Sequence, residues 1–186
     1  MNKVLFTYFG PYSDFEINPS EILAMKLKRT KENKSIEFIK LDVSFSSVEN
    51  LIAKIQKNNY DYVILTGVSR NSRKIKLETQ AKNYIEGSDI FHIKKNGAIN
   101  LKSPSHLNTN FPKEKYNSII SSFPNEITDS TNAGKYLCNY TYFRLLDLFK
   151  TEKIIFVHIP DFISKTDATN KNTCLNLMNL FLTEIK

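Results

Sequence analysis

Apolar positions recur along this chain in two rhythms. Residues 4–9 (Val-Leu-Phe-Thr-Tyr-Phe), 61–67 and 153–159 form short runs rich in β-branched and aromatic side chains, each stopped by glycine or proline. Such runs predict strands buried on both faces. Residues 36–43 alternate well enough for a further strand. Helical spacing takes over in between. Ile22, Met25 and Leu27 follow Asn18-Pro19-Ser20 and are expected to face inward, with Pro19 near the first turn. Val48, Leu51, Ile52 and Ile55 share one face behind Ser46-Ser47, in a helix that ends near residues 58–59. Leu137, Leu145 and Leu148 with Phe149 follow the break signal Ala133-Gly134, so a helix should start near Lys135 and run to about residue 150. Cys174, Leu177, Met178, Phe181 and Leu182 mark the inner side of a last helix over 168–185. Strands alternating with helices predict an α/β fold, a three-layer α/β/α sandwich around a mostly parallel sheet.

The middle of the chain is less regular. Residues 75–85 should begin extended through Glu78. The stretch 86–125 is punctuated by Gly, Ser, Asn and Pro and reads as loops, a hairpin and a short helix over 113–120, before a short strand at 127–129. No repeat and no linker interrupts the 186 residues, so one domain over 1–186 is expected. The first apolar run reaches Gly10-Pro11 without a small-residue cleavage site and reads as a strand, not a signal peptide. No apolar run approaches the roughly 18 residues of a membrane span. The net charge of +7 raises the question of nucleic acid, yet the lysines are scattered and form no stripe. A solvated basic surface is the better reading. Cys138 and Cys174, the two cysteines, fit no disulfide framework or zinc-ligand spacing, which suits a reducing compartment.

Composition therefore narrows the class without naming a chemistry, and the candidate chemistry comes from three side chains. Cys138 falls in the first turn of its predicted helix, where unpaired N–H groups and the helix dipole favour a thiolate. A lone helical cysteine also reads as a small buried hydrophobe. A cysteine nucleophile needs a base and a group to orient it. His158 lies at the carboxyl end of a predicted central strand, where open α/β sheets place their sites, whereas His92 and His106 fall in the irregular middle. Flanked by Val157 and Ile159, it reads equally well as a core histidine. Glu78 follows the loop after another glycine-closed strand, and a surface charge is its plain alternative.

Four segments, in order, resemble the pyroglutamyl peptidase I family of cysteine peptidases. Ser130, Ala133-Gly134, Tyr136 and Cys138-Asn139 fit its Ser-x-x-Ala-Gly-x-Tyr/Phe-x-Cys-Asn, and Phe156-Val-His-Ile-Pro160 fits its Phe-Ile/Val-His-Ile/Val-Pro. Gly67, Ile75, Glu78, Ala81 and Asn83 keep the spacing of a third motif. Phe9-Gly10-Pro11-Tyr12 and Asn18-Pro19-Ser20 fit a fourth. The resemblance implies a Cys138–His158–Glu78 triad that removes an N-terminal pyroglutamyl or related lactam residue from peptides, with no metal or organic cofactor. It implies substrate contacts at Phe9, Tyr12, Gly67 and Tyr136, and a cytoplasmic enzyme with a peptide partner rather than nucleic acid or membrane; assembly into a homo-oligomer is compatible with it. Departures cluster at the substrate loops. Ser72 replaces an arginine, with Arg70 and Arg73 beside it to supply oxyanion or charge support. Tyr8, Ser13 and Asp14 replace glycines of the first loop, so a backbone path with positive φ should be strained, and bulk and charge are expected beside the ring slot. The middle and the C-terminus look shorter than in the family. These changes predict weaker or altered pyroglutamyl turnover, and they keep open a relative that binds without catalysis. A basic nucleic-acid-binding domain is a third reading.

Overall fold

The structure, a computed structural model, describes residues 2–30, 35–163 and 168–185. Its elements follow the two rhythms of the sequence: β1 (Val4–Phe9), α1 (Pro19–Lys28), β2 (Ile36–Leu41), α2 (Phe45–Asn58), β3 (Tyr62–Ser69), β4 (Ile75–Glu78), β5 (Gln80–Lys82), β6 (Ile85–Ser88), β7 (Lys94–Gly97), β8 (His106–Asn108), α3 (Lys113–Ser122), β9 (Ile127–Ser130), α4 (Leu137–Leu148), β10 (Lys153–Pro160) and α5 (Ala168–Ile185). Six strands form the central sheet in the order β2-β1-β3-β10-β4-β9. β2, β1, β3 and β10 are mutually parallel, whereas β4 pairs antiparallel with β10 and parallel with β9. The chain turns back here because only residues 70–74 join β3 to β4, too few for the crossover that a parallel return requires. Since β3 and β4 flank β10, that short loop passes the carboxyl end of β10.

The strands are buried on both faces, which explains their unbroken apolar runs. One face, with Leu5, Val63, Leu65 and Phe156, packs against α2 and α4. The other, with Phe6, Ile64, Ile155 and Val157, packs against α1, α3 and α5. The layered α/β/α arrangement follows. All five inward residues expected on α5 are buried. On α1 the buried set is Pro19, Ser20, Leu23, Ala24 and Leu27, and Met25 is half exposed, contrary to its expected inward position. It lies two positions, a little over half a helical turn, from both Leu23 and Leu27, and so points away from the sheet. No helix among the described residues is long and apolar enough to cross a membrane.

The irregular middle is ordered by side-chain hydrogen bonds to backbone, not by hydrophobic period. Asn83 Oδ1 accepts from the amides of Ile99 and Asn100, both at 2.9 Å, while its Nδ2 donates to the carbonyls of Asn100 and Ser103. Asp89 gathers the amides of Phe45, Phe91 and Ile93. Around these hubs, β5 with β8 and β6 with β7 form two small antiparallel pairs.

Candidate active site

Strand register places the chemistry. His158 on β10 sits opposite Gly67 on β3 and opposite Lys76 on β4, so Gly67, His158 and Lys76 make one row across three strands. Phe156 and Glu78 pair two rows behind it. Side chains two residues apart share a face, so His158 and Glu78 point to the same side as Phe156, the side covered by α4. Glu78 Oε1 meets His158 Nδ1 at 2.8 Å, leaving Nε2 to face the cleft. The carboxylate is fully buried and the imidazole 6% exposed. The surface-glutamate alternative therefore does not describe Glu78, and His158, although buried, also borders a cleft.

The start of α4 brings Cys138 onto this row. Tyr136 is the extended N-cap, and Tyr140 is the first residue whose amide bonds back within the turn, to the Tyr136 carbonyl at 2.9 Å. The earlier N–H groups of that turn have no intrahelical acceptor. Gly67 makes room for it. A Cβ on Gly67 would stand 2.9 Å from Cys138 Sγ and 3.0 Å from the Phe156 ring. Gly67 thus does not line the cleft as an expected substrate contact; it lets the sulfur approach the sheet. Asn139, buried next to the cysteine, fixes the helix end: its Oδ1 accepts from the Lys82 amide and its Nδ2 donates to the carbonyls of Lys82 and Tyr84, all at 2.8 Å. One turn on, the Tyr142 hydroxyl donates to the Glu78 carbonyl at 2.8 Å. One helix therefore carries the thiol and grips the strand of the carboxylate. The anchoring duty of Asn139 and Tyr142 is invisible to motif spacing, although Asn139 belongs to the motif.

Electrostatics tie the three groups together. Burial pulls the His158 imidazole down, but hydrogen bonding and charge from Cys138 and then Glu78 override it and push it up to about 9. The raised value favours the protonated imidazole, which stands beside a cysteine sulfur at a helix N-terminus. Cys174 contrasts with it: burial raises that thiol to about 12. Among the described residues, no three His, Cys, Asp or Glu side chains come together as a metal-binding group.

A cleft of about 430 Å³ opens beside the sulfur. Phe9, Tyr12, Phe15 and Tyr136 give it an aromatic side, and Arg70 and Lys76 border it too. Tyr12 and Tyr136 lie with ring centroids 5.7 Å apart, and the Tyr136 hydroxyl donates to the Ser88 carbonyl at 2.6 Å. Phe9, Tyr12, Tyr136 and Arg70 thus fall where the sequence placed them. Arg73 does not. It borders a separate cavity of about 220 Å³ with Cys174 and Glu126, because the turn closed by Ser72 directs it away. In that turn the Ser72 hydroxyl donates to the Lys74 carbonyl at 2.6 Å.

The first loop also departs from expectation. Tyr8, Ser13 and Asp14 do not line the cleft. Tyr8 alternates with Phe9 and packs toward the opposite face, against the cluster that contains α1. Asp14 is largely exposed and paired with Arg70, which also stacks over the Phe15 ring at 4.4 Å. Ser13 adopts a φ of 58°, so the left-handed path survives without glycine.

Comparison with known proteins decides the family. The model of the pyroglutamyl peptidase family matches residues 2–181. This chain belongs to the pyroglutamyl peptidase family. It is 30% identical over 168 residues to a pyrrolidone-carboxylate peptidase of Staphylococcus aureus strain Newman, covering 84% of this chain and 78% of that one. Its fold is that of pyroglutamyl peptidase I from Bacillus amyloliquefaciens, with a TM-score of 0.85 at 22% identity over 99% of this chain and 94% of the other. Pyrrolidone carboxyl peptidase from Thermococcus litoralis gives 0.87 at 22% identity, covering 100% and 93%.

Proposed function

We propose that this chain hydrolyses the amide bond after an N-terminal pyroglutamyl residue, with Cys138 as nucleophile, His158 as acid and base, and Glu78 as the group that orients the imidazole. The observation that carries the reading is the buried 2.8 Å contact of Glu78 Oε1 with His158 Nδ1, on an imidazole that interacts with Cys138 from its other side. In this mechanism the Cys138 thiolate adds to the pyroglutamyl carbonyl carbon. N–H groups of the first α4 turn stabilise the oxyanion. The intermediate collapses as Nε2–H protonates the departing amine, leaving a thioester and a neutral imidazole. That imidazole then takes a proton from water, which cleaves the thioester and frees pyroglutamate. The flat, uncharged lactam ring lies on the aromatic side of the cleft, among Phe9, Tyr12 and Tyr136.

The interleaving of both hydrophobic clusters around one sheet supports a single domain over 1–186, and two free thiols suit a cytoplasmic setting. The test is a turnover assay with a pyroglutamyl fluorogenic amide. Release of the fluorophore, abolished by a thiol alkylating agent, is expected. A folded protein that binds the compound without releasing fluorophore would overturn the catalytic reading and favour a binding relative.

A further inference from the structure

Lys76 has no part in the chemistry above, yet it borders the cleft on the row of His158. Its neighbours make it the unusual charge of the site. Among the described residues no Asp or Glu lines the cleft, whereas Arg70, Lys76 and Lys135 do. Arg70 is paired with Asp14, and Lys135 with Glu86 at 2.7 Å. Among the described residues Lys76 has no carboxylate within ion-pair reach; its ammonium donates only a long 3.5 Å hydrogen bond to Ser69 Oγ. It is half-buried, so its field is less screened than that of a free surface lysine.

Position then says which part of a substrate it meets. Across the sheet the order is β1, β3, β10, β4, so Phe9 lies two strands to one side of His158 and Lys76 one strand to the other. Adjacent strands are about 4.8 Å apart. An acyl ring among Phe9, Tyr12 and Tyr136, with its carbonyl at Cys138, sends the leaving amine toward His158, which must protonate it. The residue that bears this amine continues toward β4.

We propose that Lys76 determines specificity on the leaving-group side, selecting substrates with a carboxylate on the residue after pyroglutamate. That carboxylate is either an acidic side chain or, in a dipeptide, the free α-carboxylate. This inference rests on the peptidase reading. A charge-assisted hydrogen bond at a half-buried site yields a preference of about tenfold in kcat/KM, expressed mainly in KM because the contact is made equally in ground and transition states.

The experiment compares four substrates: pyroglutamyl-glutamate amide, pyroglutamyl-alanine with a free carboxylate, pyroglutamyl-alanine amide and pyroglutamyl-lysine amide. The wild type should favour at least one carboxylate substrate about tenfold over the alanine amide and disfavour the lysine amide. Which of the first two is favoured identifies the source of the carboxylate. The ratio should shrink in high salt, fall to near one in Lys76→Gln and persist in Lys76→Arg. Because each protein is compared with itself on two substrates, a general loss of activity cancels. Equal turnover of all four by the wild type, or a preference that survives Lys76→Gln, would overturn the role of Lys76 and leave the peptidase reading intact. No turnover of any of them by folded wild type overturns both.

Discussion

Cys138 and Cys174 lie on helices that cover opposite faces of the same sheet. Cys174 belongs to α5 and is buried in the cluster that holds Leu177, Met178 and Phe181, and burial holds its thiol up to about 12. Cys138 begins α4, is partly exposed to a cleft, and faces an imidazole that Glu78 holds from behind. Both are cysteines on helices packed against one sheet. They differ in whether a base, a helix end and an opening converge on the sulfur. What sets Cys138 apart is thus its place at the end of the sheet, where register aligns Gly67 with His158, and not its residue type.

Exchanging each thiol for a methyl group should break this comparison most sharply. Cys138→Ala is expected to lower kcat by about 10⁴-fold or more, since the other triad members cannot act without the nucleophile. Cys174→Ala should retain turnover and lose about 1–2 kcal/mol of stability from the small void it leaves, measured by urea unfolding. Iodoacetamide at neutral pH should label Cys138 at least ~100-fold faster than Cys174, as peptide mapping would read. Full activity in Cys138→Ala would mean that the nucleophile is another group.

The same contrast shows what the sequence could disclose. Strands and helices were legible because β1, β3 and β10 are buried on both faces, and the period of α2 and α5 follows from one packed side. The convergence of Cys138, His158 and Glu78 was legible through motif spacing, reinforced by the placement of His158 at a strand end. What stayed hidden depends on direction. Arg73 and Arg70 differ by three positions in one short loop, yet only the fold of the turn at Ser72 decides which enters the cleft. Tyr8 and Phe9 are neighbours that strand alternation sends to opposite faces. Lys76 gave no signal at all, because its importance arises only when an antiparallel strand sets it opposite His158.

Glu78→Gln sharpens the comparison by leaving the thiol and the base in place while removing the charge behind the imidazole. The loss in kcat/KM should be smaller than for Cys138→Ala, about 10²–10³-fold, and the double variant should be no worse than Cys138→Ala alone.

A milder effect concerns pH. His158 has its folded-state value raised from 6.5 to about 9, so its contribution to stability is fully present below about 6.5 and is lost as pH rises through 9. Activity in free protein should fall along an alkaline limb near pH 9, about tenfold per pH unit beyond it, and Glu78→Gln should move that limb to lower pH. A limb in kcat/KM that stays at the same pH in Glu78→Gln would show that the carboxylate does not raise the imidazole. Urea midpoints should fall between pH 7 and 10 by the equivalent of about 2–3 kcal/mol relative to a His158→Asn control.

The smallest effect belongs to the first loop, where replaced glycines invited the expectation of impaired turnover. Ser13 keeps the left-handed backbone, at a cost of about 1–2 kcal/mol for a residue with a Cβ. The loop resists relaxing because Asp14 is tied to Arg70, Arg70 stacks over Phe15, and the Phe15 amide donates to the Tyr12 carbonyl at 3.1 Å. Ser13→Gly removes the strain but adds about 0.5–1 kcal/mol of chain entropy to the unfolded state. The net gain is then at most about 1 kcal/mol, with kcat/KM for a pyroglutamyl amide changed less than twofold, since Ser13 does not border the cleft. Arg70→Gln should lower stability instead, by removing the tie that holds the strained turn. A several-fold rise in turnover for Ser13→Gly would restore the idea that this loop, and not the leaving-group side, limits the fit of the ring.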